Sequence, residues 1–212
     1  MGRRELKKRQ MRERIAETAW GMFAERGFER VTVVEVAGAA GVSEATVFNY
    51  FPSKEDLFYS RLESFWERLV EAVWVRAPGE SALVAFRRQL LADGGLLARV
   101  EDGDEEALAQ LRAVNRTIAD SPALRARERR AFAECAEALG AVLADEDGDV
   151  VAHAAAHALL GVHRALVDHV RDRILTDDDP SRLAEDVRRL AERAFTLLER
   201  GMGEYGVRGG PA

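Results

Sequence analysis

All four histidines of the chain, His153, His157, His163 and His169, fall in one alanine-rich apolar stretch. His153 and His157 are four residues apart, which puts their imidazoles on one helix face, with Asp149 one turn earlier. Two imidazoles and a carboxylate at that spacing can ligate a divalent metal. A histidine pair in such a helix more often serves packing or an interface, so no metal is expected. A helical-bundle metal-binding protein or enzyme using Asp149, His153 and His157 is the alternative reading, and it lacks the repeated Glu-x-x-His pairs of such bundles. The single cysteine, Cys135, cannot form an internal disulfide and reads as a small core residue within AFAECAEALGAVLA. The chain has no glycine-rich phosphate loop, no HExxH and no plausible serine or cysteine triad. We therefore expect no enzymatic activity, no catalytic residue and no cofactor.

A second group of polar side chains lies in VVEVAGAAGVSEATVFNYFPSKEDL, Val33 to Leu57. Two short helical runs are separated there by Gly41. Each is about two turns long, below the roughly 12 residues at which an isolated helix becomes marginal, so each must pack on its neighbours. Val36, Val42 and Val47 point inward from helix, turn and helix. Ala37 permits a close helix crossing, and Gly41 suits a positive φ in the turn. This is the spacing of a helix-turn-helix, whose second helix has to protrude to enter a major groove about 12 Å wide.

The elements around it read as helix throughout. Ile15, Ala19, Met22 and Phe23 recur at helical spacing up to a C-cap at Gly27. Thr32 and Glu35 have the spacing of a capping box. A fourth helix runs from Ser53 to about Val75, and APGE at Ala77 to Glu80 breaks it. Further helices are expected over roughly Ser81–Val100, Glu105–Ala119, from Ser121-Pro122 onward, Val150–Leu175 and Pro180–Arg200. DEDGD at Asp145 to Asp149 and TDDDP are read as connectors. The expectation is an all-α chain with an N-terminal three-helix helix-turn-helix domain joined to a larger helical bundle. The boundaries are 1–56 for the first domain with its basic N-terminal arm, 57–200 for the bundle and 201–212 for a disordered tail.

TVVEVAGAAGVSEATVFNYFPSKEDLF, preceded by FAERGFERVTV, closely resembles the DNA-binding segment of the TetR family of transcriptional regulators. The matching residues are Thr32, Ala37, Ala40, Gly41, Val42, Ser43, Thr46, Phe51, Ser53, Lys54 and Leu57, and the resemblance covers about residues 10 to 60. It implies a ligand-responsive repressor: a homodimer that reads a palindromic double-stranded DNA operator and is released by a small-molecule effector bound in the larger domain. Tyr50 and Lys54 match positions that grip the DNA backbone, and Thr32 is a similar candidate. From the residues themselves, Ser43 caps the second helix of the motif. Glu44, Ala45, Thr46 and Asn49 should face outward, with Asn49 suited to an adenine edge and the Ala45 and Thr46 methyl groups suited to thymine. Phe48 stands where a tyrosine is frequent and Asn49 where an aromatic is frequent, so the operator of a relative does not carry over.

In the larger domain, aromatic residues with a few polar ones suggest a site for a lipophilic effector: Phe65, Trp66, Phe86, Leu90, Phe132 and Leu159, with Asn115, Arg116 and His163 as orienting groups. The last two helices resemble by position the pair that builds the dimer interface in the family. Ala155, Ala158, Val162 and Leu166 give one apolar face, and Val187, Leu190, Ala194 and Leu197 the other.

Charge and composition agree with this reading. The chain has 212 residues, and 47% are hydrophobic, enough for a substantial core. Residues 1–14 hold seven Lys or Arg against Glu5 and Glu13, a local charge of +5; the formal net charge of −6 leaves −11 for the remainder. A basic arm therefore precedes an acidic body. No apolar run approaches the roughly 20 residues that span a bilayer, and the first residues do not form a signal peptide. The expected location is the cytoplasm, with no membrane partner.

Overall fold

A computed structural model describes residues 3–92, 95–147, 149–176 and 182–202. Among these residues there are ten α-helices and no strand: α1 (Arg3–Arg26), α2 (Val33–Ala39), α3 (Glu44–Tyr50), α4 (Lys54–Trp74), α5 (Ala82–Ala92), α6 (Gly95–Glu101), α7 (Glu105–Asp120), α8 (Pro122–Asp147), α9 (Asp149–Leu175) and α10 (Leu183–Met202). The chain is all-α, as its periodicity predicts. It divides into two compact units. The first holds the residues up to Phe65 together with Ser121–Glu128, and the second holds Trp66–Asp120 with the residues from Arg129 onward. The first unit thus extends beyond residue 56 into α4 and takes in the opening turns of α8.

In the first unit, Ile15, Ala19 and Phe23 of α1 are buried with Val36 and Ala37 of α2, Val47 of α3, and Leu57 and Phe58 of α4. Rings make up much of this core. Phe58 lies 5.0 Å from Trp20 and 5.5 Å from Phe28, and Phe23 lies 5.2 Å from Phe28. The Trp20 indole N–H donates to the Phe58 carbonyl at 3.0 Å, so the one polar atom of that ring is satisfied. α1 ends where expected: Gly27 takes a φ of +82°, and its N–H donates to the Phe23 carbonyl. Its start differs from expectation. The basic arm is no separate segment but the first turns of α1 itself, which propagates N-terminally from its packed half.

In the second unit the core holds Leu69 and Val73 of α4, Phe86 of α5, Leu139 and Leu143 of α8, Leu159, Leu160 and Ile174 of α9, and Phe195 of α10. Three expectations change here. The single helix expected over Ser81–Val100 is two helices, α5 and α6. The acidic DEDGD connector is mostly helical, since α8 runs to Asp147 and α9 begins at Asp149. α9 is also long and apolar enough to cross a membrane by length and composition, although 44% of its apolar window is buried inside the protein. A core helix passes the same test, because burial on several sides leaves few positions for charge. Of the expected TDDDP connector only Thr176 is among the described residues, and of the expected disordered tail only Gly201 and Met202, which end α10.

Candidate functional site

The site is built on α2, the turn after it and α3. α2 is capped at both ends. The Thr32 hydroxyl accepts from the Glu35 N–H at 3.3 Å and donates to the Glu35 carboxylate at 2.8 Å, while the Thr32 N–H donates to that same carboxylate. This is the capping box that the sequence predicts. Arg26 at the end of α1 donates to Glu35 at 2.5 Å, and this bond, with those from Thr32, lowers the Glu35 pKa to about 2. At its other end the Val42 N–H reaches the Ala37 carbonyl and the Gly41 N–H reaches the Gly38 carbonyl. Gly41 has a φ of +67°. A side chain there would be strained by its backbone conformation, which accounts for the glycine.

α3 starts on Ser43, whose hydroxyl accepts from the Thr46 N–H at 3.1 Å and lies 2.8 Å from the Thr46 hydroxyl. Val47 is the buried anchor of this helix. At 100° per residue Ala45 and Asn49 lie opposite Val47, with Phe48 about 100° and Glu44 about 60° around from it, and all four are exposed. Phe48 is 44% exposed, an apolar ring on the same side as the polar candidates. Sequence reasoning treated Phe48 only as a departure from a family pattern. Counting 100° steps from Val47 would not have settled its exposure, because Thr46 lies at the same angle on the other flank and is half-buried. Thr46 and Tyr50 are half-buried on the flanks.

Lys54 lies elsewhere. Its ammonium donates to the carbonyls of Phe28 at 3.0 Å and Val31 at 3.2 Å and sits 4.2 Å from the Phe28 ring centroid. Two of its three protons are therefore used inside the first unit, clamping the start of α4 to the segment before α2. As the expected backbone grip, Lys54 has one proton left for a phosphate.

The second unit brings some of the expected effector residues together. Trp66 of α4 lies 4.8 Å from Phe132 of α8 and 5.1 Å from His163 of α9, and the last two are 5.4 Å apart. Burial pushes the His163 pKa down to about 4, so its imidazole is neutral at pH 7. Leu159 is buried one turn earlier on α9. The others are not in this group of rings. Phe86 pairs with Phe195 at 6.3 Å, a partner the sequence reading missed. Buried Asn115 donates to the Leu111 carbonyl of its own helix. Arg116 is exposed, Leu90 is half-buried, and Phe65 belongs to the first unit.

Of the expected dimer residues, Ala155 and Leu166 are buried within the protomer. Ala158, Val162, Val187, Leu190 and Ala194 are half-buried, and Leu197 is 72% exposed. The protomer core takes a different stripe of α10: Leu183, Ala184, Ala191 and Phe195.

Among the described residues the histidine pair gathers no third ligand. The His153 Nδ1 is 2.7 Å from the Asp149 carbonyl and its Nε2 is 3.4 Å from Glu137 of α8, so both ring nitrogens are committed. The ring packs so close to Gly140 that a Cβ there would come within 2.7 Å of it. His157 is exposed, and among the described residues no three His, Cys, Asp or Glu side chains cluster to hold a metal. Cys135 is buried, and desolvation pushes its thiol up to about 12, as suits a core residue.

Comparison with known proteins agrees with this geometry. Residues 15–60 match the family described as bacterial regulatory proteins, tetR family. Over 153 residues the chain is 31% identical to the HTH-type transcriptional regulator TcmR of Streptomyces glaucescens, which covers 69% of this chain and 65% of TcmR. It is 35% identical over 82 residues to the HTH-type transcriptional repressor AcnR of Corynebacterium glutamicum, covering 39% of this chain and 41% of AcnR. The chain thus spans less than two thirds of the length of these relatives. The structure of Salmonella enterica GusR superposes on 90% of this chain and 94% of its own at a TM-score of 0.50 and 21% identity, which is a likeness of fold. On the helix-turn-helix of residues 15–60 and the all-helical fold that carries it, the chain belongs to the tetR family of bacterial regulatory proteins.

Proposed function

We propose that the protein is a cytoplasmic transcriptional repressor that binds a palindromic operator as a homodimer and is released by a lipophilic small molecule. The observation that carries the reading is the division of α3. Val47 is buried as its anchor, Ser43 caps it, and Glu44, Ala45, Phe48 and Asn49 are all exposed. A helix held by one side and open on the other suits insertion into a major groove. Its amide and methyl groups suit base edges, and the Phe48 ring suits a thymine methyl. Thr32, Tyr50 and the remaining proton of Lys54 are then the phosphate contacts.

The dimer follows from spacing. Two recognition helices must sit about 34 Å apart to read successive half-sites, which a rigid two-fold pair provides. Val187, Leu190, Ala194 and Leu197 support α10 as part of that interface, because they form an apolar stripe that the protomer core leaves half-buried or exposed. The rings of Trp66, Phe132 and neutral His163 support an apolar effector, since a charged one would lose hydration among them. Repression is favoured by the likeness to AcnR, named a repressor.

Selection of bound duplexes from a random-sequence pool tests the reading. The expected product is a palindrome. Recovery of no duplex, or a monomeric mass by light scattering at micromolar concentration, would overturn it.

A further inference from the structure

The first turns of α1 set a physical problem. Arg4 to Gln10 are all exposed, so no packing holds this part of the helix. Its charges also work against it. Arg4 and Lys8 are four apart, as are Lys8 and Arg12, and Arg4 and Lys7 are three apart. At these spacings like charges repel along a helix surface. They also crowd the N-terminal end, where the helix dipole favours anions over cations, most strongly in the first turn that holds Arg4.

Other basic residues nearby have partners. Arg9 pairs with Glu13, Arg12 pairs with Glu63 and stacks 4.7 Å from the Phe51 ring, and Arg14 donates to the Met11 sulfur. Among the described residues Arg4, Lys7 and Lys8 form no ion pair. At 100° per residue they lie within one 100° sector of α1, with Glu5 and Glu13 on other sides. A chain whose remainder carries −11 concentrates cations at the place where folding least favours them. Folding alone supplies no reason for that placement, whereas a polyanion does.

We propose that Arg4, Lys7 and Lys8 form a second DNA-binding surface, a helical cationic edge that engages backbone phosphates of the duplex independently of base sequence. The inference rests on the DNA-binding reading above and adds to it a contact outside the helix-turn-helix. Each neutralised phosphate releases a condensed counterion, so three contacts contribute about 2.7 to the salt slope of binding. The same contacts relieve the repulsion within α1, so DNA should firm up these turns.

The test compares the full chain with the Arg4→Gln/Lys7→Gln/Lys8→Gln variant on duplexes recovered by selection from a random pool. The variant should bind more weakly at low salt, with a slope shallower by about two to three. Its disadvantage should then shrink about 40-fold between about 50 and 200 mM salt. Base preference should be unchanged and Tm equal or higher. Equal slopes for both proteins would overturn this inference alone, whereas failure of the unmodified chain to select any duplex would sink the DNA-binding reading itself. A lower Tm in the variant would overturn it in favour of a folding role. Loss of binding to phosphatidylserine vesicles with duplex binding intact would overturn it in favour of a membrane surface.

Discussion

The Arg127 guanidinium donates from Nε to Asp56 Oδ1 at 2.5 Å, joining residues 71 positions apart within the first unit. Only 11% of the arginine side chain and 14% of the aspartate are exposed. Asp56 also accepts from the Ser53 hydroxyl at 2.6 Å, and the guanidinium lies 5.8 Å from the Tyr59 ring centroid. The pair ties the opening of α8 to the first turn of α4. Removing one partner strands a largely buried charge, so Arg127→Ala should lose about 3 kcal/mol in urea denaturation. An Asp56→Asn/Arg127→Leu double variant should lose less than the sum of the two single changes. Strict additivity would show that the pair is not coupled.

Lys54 has a structural task and, in the proposed function, a phosphate to hold, so its removal should show in two measurements. Lys54→Ala leaves two carbonyls short of a donor and removes the cation from the Phe28 ring. The expected cost is about 1–3 kcal/mol. Affinity for operator and random duplex should fall together, with a salt slope lower by about one. An unchanged Tm would mean that the clamp contributes nothing.

Base readout should divide between two neighbours on α3. Asn49→Ala should relax one base position by about 1–3 kcal/mol, and Phe48→Ala should relax a thymine preference at another. Neither residue is buried, so Tm should hardly change. A randomised operator library read with each variant checks this, and an unaltered preference would remove that residue from the readout.

His163 makes stability depend on pH in a known direction. Its pKa falls from an ordinary 6.5 to about 4 in the folded chain because burial disfavours the charged ring. The unfolded chain therefore takes up the proton first. Stability should decline as pH drops from about 6.5 to about 4 and level off below that. The whole loss is about 3 kcal/mol. His163→Phe removes the titration, so subtracting its stability curve from that of the unmodified protein should isolate a step in this window. A flat difference curve would place His163 in contact with water.

Local information made much of this legible before any tertiary structure. Thr32, Glu35, Gly41 and Ser43 announce their caps and turn because capping and positive φ are satisfied within a few residues. The 3.6-residue periodicity announces an all-α chain for the same reason. Whether a charged side chain is free or committed depends on distant partners. Lys54 reads as a phosphate contact alone until the carbonyls of Phe28 and Val31 appear around it and add a structural task. His153 reads as a packing residue without a partner until Glu137 and Gly140 of α8 close on its ring.

Sequence alone determined the helices, the helix-turn-helix and the excess of positive charge at the N-terminus. All of these arise from spacing along one chain and from the charge of individual residues. Tertiary structure decided which apolar stripe of α10 enters the core, which rings meet around His163, and that Arg127 belongs with Asp56. Those outcomes depend on how helices pack against one another, and packing partners many residues apart leave no periodic mark in the chain.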